Sequence, residues 1–198
     1  MISLERFGDG QRGVGRIERF VRKGIAWDGW ENYVSLCEHP KFFSTIRDNP
    51  LIVVHPGFRL WWPGEKSVTP RYDRIGYNAY LERVREKVAQ SVEVGRTIIV
   101  YLPSMYRQEA LDAIGNPEGA LLVPTTNDGG AIIDHGFLGE RAREFHDALV
   151  AQITSAEICG EYRDRCVQEV CRYLDGVEIT RVSDCIFPPA SYARISDY

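Results

Sequence analysis

Five short, mainly apolar runs, the first of them rich in β-branched residues, are the feature that most constrains the fold of this chain. They lie near residues 50–55, 97–102, 120–124, 155–160 and 177–183. Runs of this length and composition are typical of buried strands. Amphipathic segments such as "YNAYLERVREKVAQSVEVG" and "GERAREFHDALVAQI" separate them and have helical spacing. The alternation predicts an α/β fold: a three-layer α/β/α sandwich with a mainly parallel sheet of five or six strands.

The first 48 residues differ in pattern from the rest of the 198-residue chain. Their segments "VGRIERFVRKGI" and "WDGWENYVSLCEH" have helical spacing and precede the first apolar run. We therefore predict an N-terminal helical extension over residues 1–48, covering an α/β domain over residues 49–198. The aromatic residues of the extension pack either on this domain or on a second copy of the chain, which leaves a homo-oligomer open.

The charge and apolar content of the sequence exclude several classes of partner. A net charge of −4 gives no electrostatic reason to expect nucleic acid. No run approaches the roughly 20 apolar residues of a membrane helix, and the opening "MISLERFGDG" lacks the apolar core of a signal peptide. The five cysteines are irregularly spaced, as expected of free thiols in a reducing compartment. These features predict a cytoplasmic protein without a nucleic-acid or membrane partner.

Metal and cofactor signals in the sequence are weak. The four histidines form no pair at metal-ligand spacing, and "GDGQRG" matches a dinucleotide-binding pattern without a strand before it. We therefore predict no metal site and no cofactor.

The carboxyl ends of the predicted strands carry the polar residues best placed for chemistry. Ligands of open parallel sheets bind outside these ends. His55 follows the first strand there, and the candidate binding residues follow the fourth and fifth strands: Gly160, Glu161, Asp164 and Asp184. A histidine, a thiol and several carboxylates thus share one edge, where a small-molecule ligand would bind.

Cys166 has two interpretations. It lies near the start of the helix after the fourth strand, where the positive end of the helix dipole favours a thiolate. The nearby carboxylate of Asp164 opposes a second anion. Alternatively, Cys166 is a small packed residue of the first helical turn. Cys159 and Cys171 are predicted to lie in the core.

The segment "CGEYRDRCVQEVCRYLDGVEITRVSDC" resembles the C-terminal signature of the isochorismatase-like cysteine hydrolases. In that family the fourth strand ends in Gly, an Asp precedes a Cys-Val pair, and a later strand ends in Asp. The matching positions here are Gly160, Asp164, Cys166, Val167 and Asp184. The segment "HGFLGERAREFHDAL" is also similar to the family's helix before that strand. The resemblance covers roughly residues 49–185, and only the strand–turn–Cys segment is specific.

The resemblance implies a mechanism in which a cysteine attacks a carbonyl or imine carbon, typically of an amide. An Asp takes the thiol proton and a Lys holds the acid and the thiolate. Cys166 matches the nucleophile, whereas His55 stands where the family has its Asp. No lysine occurs after Lys87. A Cys–His pair is also a workable nucleophile and base if the two groups come within hydrogen-bond reach.

Two functions follow as hypotheses. The first is a divergent cysteine hydrolase that cleaves the C–N bond of a small amide-like substrate, with Cys166 as nucleophile and His55 as base or orienting group. The second is a non-catalytic binding or scaffold protein that kept the fold without the catalytic triad. For His55 itself, a polar residue hydrogen-bonded at a strand end is the alternative to a catalytic base.

Overall fold

The fold is α/β, with a five-stranded, all-parallel sheet at its centre, as a computed structural model of the protein shows. The structure describes residues 43, 46–61, 74–103, 106–125 and 136–187. All five predicted strands and the parallel sheet are confirmed. The predicted helical extension over residues 1–48 lies almost wholly outside the described residues, as does the tail after residue 187.

The elements alternate along the chain as expected from the apolar runs. In chain order they are β1 (Leu51–Val54), α1 (Phe58–Trp61), α2 (Arg74–Glu93), β2 (Ile98–Pro103), α3 (Arg107–Asp112), β3 (Leu121–Thr125), α4 (Gly136–Val150), β4 (Ser155–Glu161), a π-helical turn (Arg163–Val167), α5 (Gln168–Tyr173) and β5 (Glu178–Phe187). The helix predicted after β4 therefore begins as a π-helical turn, and β5 continues four residues beyond its expected end at residue 183.

Helices cover both faces of the sheet, which is why β1 is apolar at every position. Successive strand side chains point to opposite faces. One face, here called the α4 face, buries Ile52 and Val54 against Phe145 of α4 and Val170 of α5. The other, called the α2 face, holds the alternate residues of β1, Leu51 and Val53. They pack there against α2 and α3, at Val84, Val88 and Ala110. Each face therefore has its own apolar core.

The strand order creates a switch point beside β1. The order across the sheet is β3-β2-β1-β4-β5. The chain runs from β1 through β2 to β3 on one side, and then returns to place β4 and β5 on the other. The connection after β1 leads to α2 on one face, and the connection after β4 leads to α5 on the opposite face. Such a reversal opens a crevice at the carboxyl ends of the two strands, where ligands of open α/β sheets bind.

Candidate functional site at the carboxyl ends of β1 and β4

His55 and Glu161 are neighbours across the switch point. Pairing between β1 and β4 ends with Val54 opposite Gly160, so the next residues of the two strands are His55 and Glu161. Both side chains are fully buried. The structure thus brings together two of the residues that the sequence assigned to this edge.

Gly160 allows the two strands to approach this closely. Its φ of +119° is a conformation that side-chain-bearing residues rarely adopt, and a Cβ there would lie 2.0 Å from the carbonyl oxygen of Val54. The ladder between β4 and β5 also shifts register between Ile158 and Gly160. A glycine is therefore required where β4 passes closest to the end of β1.

The imidazole of His55 is held in an apolar pocket with one hydrogen bond. Its Nε2 forms a 2.8 Å hydrogen bond with Thr125 Oγ1 at the end of β3. The ring stacks on Phe58 at 5.6 Å and meets the edge of Trp61 at 6.2 Å. Burial lowers the pKa of His55 to about 3. The ring is therefore neutral at physiological pH, and it is a weak base in this environment.

The carboxyl group of Glu161 joins three elements. Its Oε1 accepts hydrogen bonds from the backbone N–H of Gly57, at 3.1 Å, and from the hydroxyl of Tyr77 on α2, at 2.7 Å. Burial raises the pKa of Glu161 to about 8, although the Tyr77 and Gly57 hydrogen bonds act in the opposite direction. Glu161 is therefore mostly protonated at neutral pH.

Unpartnered buried polar atoms gather at this edge. In the part of the chain that the structure describes, His55 Nδ1, Glu161 Oε2 and the hydroxyl of Tyr80 are buried without a hydrogen-bond partner. The Tyr80 hydroxyl lies close enough to Glu161 to lower the pKa of the carboxyl, but it misses hydrogen-bond geometry. A buried polar group without a partner costs about 1–3 kcal/mol, so these atoms are a local cost to the stability of the folded chain.

Removal of the Tyr77 hydroxyl tests how the Glu161 carboxyl is held. Tyr77→Phe deletes the 2.7 Å hydrogen bond and leaves its ring contacts. We expect a loss of about 1–2 kcal/mol in the free energy of unfolding at neutral pH, measured by urea denaturation. The matched control is Tyr80→Phe, whose hydroxyl makes no hydrogen bond among the described residues and whose loss should cost less than half as much. Equal losses would contradict this assignment.

Cys166 lies in the core of the α4 face. It is only 2% exposed and is packed among apolar residues that include Val54, Val167 and Val170. Burial raises the pKa of its thiol to about 11, and a hydrogen bond with the Tyr162 backbone lowers it only in part. At pH 7 only about one thiol in ten thousand would be ionised. The aromatic neighbours of His55, in contrast, belong to the core of the α2 face.

The other two carboxylates predicted for the site are exposed, whereas His55 and Glu161 are buried. Asp164 is exposed on the π-helical turn, where it lines a surface cavity of about 390 Å³ with Cys166 and Arg172. Asp184 is exposed on the edge strand β5, and its backbone oxygen accepts a hydrogen bond from Arg83. The last lysine of the sequence, Lys87, pairs with Glu157 near the start of β4.

The sequence analysis assigned neither Thr125 nor Tyr77 to the candidate site. Thr125 begins "TTNDGG", which reads as a polar turn, and its contact with His55 depends on the strand order. Tyr77 lies in the first half of α2, where its aromatic ring indicates only packing. A polar atom on a buried aromatic side chain usually needs a partner, which is the one signal that the sequence offered.

Comparison of the chain with protein-family models, with curated proteins and with solved structures finds no match. Among the residues that the structure describes, no three potential ligands are grouped as a metal site. None of the helices within those residues is long and apolar enough to cross a bilayer.

Proposed function

We propose that this chain is a non-catalytic relative of the isochorismatase-like cysteine hydrolases, which binds a small polar molecule at the ends of β1 and β4. The observation that carries the proposal is the pair of unpartnered buried atoms, His55 Nδ1 and Glu161 Oε2, at the switch point. A bound molecule that completes their hydrogen bonds would recover free energy that the ligand-free chain lacks.

The state of the thiol favours binding over hydrolysis. Nucleophilic attack by cysteine requires the thiolate, and reactive cysteines have lowered pKa values in partly exposed, electropositive surroundings. Cys166 has the opposite properties, because it is buried in hydrocarbon and its pKa is raised to about 11. His55, with a pKa near 3, is a poor acceptor for the thiol proton.

Hydrolysis by Cys166 is the second candidate, and one observation favours it. Cys166 contributes to the lining of the surface cavity together with Arg165 and Arg172. A substrate in that cavity would lie beside Cys166, with two arginine residues to offset the charge of a thiolate.

Alkylation of the native protein separates the two candidates. At pH 7 we expect iodoacetamide to modify Cys171, which is partly exposed, at least tenfold faster than Cys166. Peptide mass spectrometry at timed intervals gives the rate at each site, and the urea-unfolded protein supplies the reference rates. Preferential alkylation of Cys166, together with release of ammonia from small amides that Cys166→Ser abolishes, would overturn the proposal in favour of the hydrolase.

A further inference from the structure

The surroundings of Glu161 indicate what kind of molecule would bind at the switch point. Its carboxyl forms no ion pair among the described residues. Tyr77 and Tyr80, which act on this carboxyl, belong to a continuous cluster of contacting rings: Phe58, Trp61, Tyr77, Tyr80, Tyr162 and Phe187. A buried carboxyl group without an ion-pair partner, beside a cluster of aromatic rings, is a combination that favours organic cations.

The chain itself already places one cation against these rings. The guanidinium carbon of Arg59 lies 5.3 Å from the ring centroid of Tyr77 and 5.8 Å from that of Phe187. Both distances are within the range of attractive cation–π contacts. The ring faces beside Glu161 therefore attract positive charge.

The unpartnered atoms add a requirement for hydrogen-bond donors. Glu161 Oε2 accepts hydrogen bonds once the carboxyl is ionised, and His55 Nδ1 accepts when Nε2 carries the proton toward Thr125. The two acceptors belong to neighbouring strand ends, because His55 and Glu161 follow the paired residues Val54 and Gly160. A ligand that satisfies both acceptors carries at least two N–H groups.

We propose that the molecule bound at the switch point is a small organic cation with several N–H donors, of the primary ammonium or amidinium class. This inference rests on the proposed binding function and narrows its ligand. The ammonium would pair with the ionised Glu161 carboxylate, donate to His55 Nδ1 and lie against the aromatic rings.

Binding of such a cation is linked to release of a proton from Glu161. The carboxyl is mostly protonated below pH 8, and a cation binds best to its ionised form. The titratable and charged residues that act on Glu161 are Tyr77 and Tyr80 on α2 and Arg59, through its backbone, on α1. Tyr162, Cys159 on β4 and Cys185 on β5 act on these tyrosines, and His55 follows the neighbouring strand. His55 is already neutral above pH 5, so the affinity between pH 6.5 and pH 8.5 follows Glu161.

Addition of methylammonium, followed by NMR at the backbone amide of Gly57, tests the inference. This amide is a direct reporter because its N–H donates to the Glu161 carboxyl. Samples at constant ionic strength are equilibrated for hours, because both acceptors are buried. We expect saturable shifts whose Kd falls roughly twentyfold from pH 6.5 to pH 8.5. Glu161→Gln should abolish this pH dependence and weaken binding at pH 8.5, whereas Glu93→Gln, an exposed change at the far end of α2, should preserve both.

Two further probes distinguish a wrong assignment of the ligand as a cation from the absence of a binding site. Tetramethylammonium has the charge without N–H donors, and it should bind at least tenfold more weakly than methylammonium; equal binding would contradict the hydrogen-bonding role of His55 and Glu161. Acetamide has the donors without the charge. Binding of acetamide alone, with the same Kd at both pH values, would overturn the cation assignment while it supports a polar binding site. No shift with any of the three probes would overturn both proposals.

Discussion

Gly160→Ala is expected to abolish the folded protein. The added Cβ would lie 2.0 Å from the oxygen, 2.6 Å from the nitrogen and 2.8 Å from the carbonyl carbon of Val54. These are backbone atoms of the central strand, so no side chain is available to move aside. The φ of +119° adds strain of its own. We expect a loss of at least about 5 kcal/mol in the free energy of unfolding, which is the whole stability of a marginally stable domain.

Gly176→Ala is the matched control for that change. Gly176 also has a positive φ, +88°, but an added Cβ would have no atom within 4 Å. Backbone strain alone should then cost about 1–2 kcal/mol. Far-ultraviolet circular dichroism and urea denaturation of both variants give the comparison. A Gly160→Ala protein as stable as Gly176→Ala to within about 1 kcal/mol would contradict the close approach of β4 to β1.

The second large expected effect is on the pH dependence of stability through Glu161. Its pKa is about 8 in the folded chain, against an ordinary value of 4.5. Between these values the folded state holds a proton that the unfolded state has lost, so stability falls as pH rises from 4.5 to 8 and is level above 8. The slope is about 1.4 kcal/mol per pH unit, and the total is on the order of 3–5 kcal/mol.

His55 also contributes to the pH dependence of stability, and its contribution has the opposite sign. Its pKa falls from 6.5 to about 3 on folding, so its contribution raises stability as pH increases from 3 to 6.5 and is constant above that range. In the wild-type protein the two contributions oppose one another between pH 4.5 and 6.5. A net decline from Glu161 should then stand out between pH 6.5 and 8.

Glu161→Gln isolates this contribution. The amide oxygen still accepts hydrogen bonds from Gly57 and Tyr77, but the side chain does not titrate. The decline in stability between pH 6.5 and 8 should therefore disappear, and the variant should be more stable than the wild type at pH 8. Urea denaturation at half-unit intervals of pH measures both profiles, and Glu93→Gln should reproduce the wild-type curve. A wild-type profile that is flat from pH 6.5 to 8 would contradict a buried, protonated Glu161.

Much of the fold could be predicted because local composition determines it. The run at β1 is β-branched and lies between polar segments, and a strand buried on both faces requires this composition. The helix bounds were less accurate: the segment "YNAYLERVREKVAQSVEVG" begins at Tyr77, whereas α2 begins at Arg74. The π-helical turn after β4 could not be predicted, because nothing in "YRDRCV" distinguishes it from an ordinary first helical turn.

The candidate site could be predicted only in part, because it depends on strand order. His55 and Glu161 were both expected at the carboxyl edge, but their adjacency follows from β1 lying beside β4. The surroundings of Cys166 depend on which face the chain enters after Glu161, and that direction is a tertiary property.

The ionisation of Glu161 tests the central claim of this account most directly. The side-chain carboxyl carbon of Glu161 can be followed by ¹³C NMR from pH 4 to pH 10 in uniformly labelled protein, with Glu161→Gln to assign its resonance. The buried, uncompensated carboxyl predicts a midpoint near pH 8. A midpoint near the ordinary value of 4.5 would mean that water or a cation of the chain already satisfies the group, and the proposed binding site would then be contradicted.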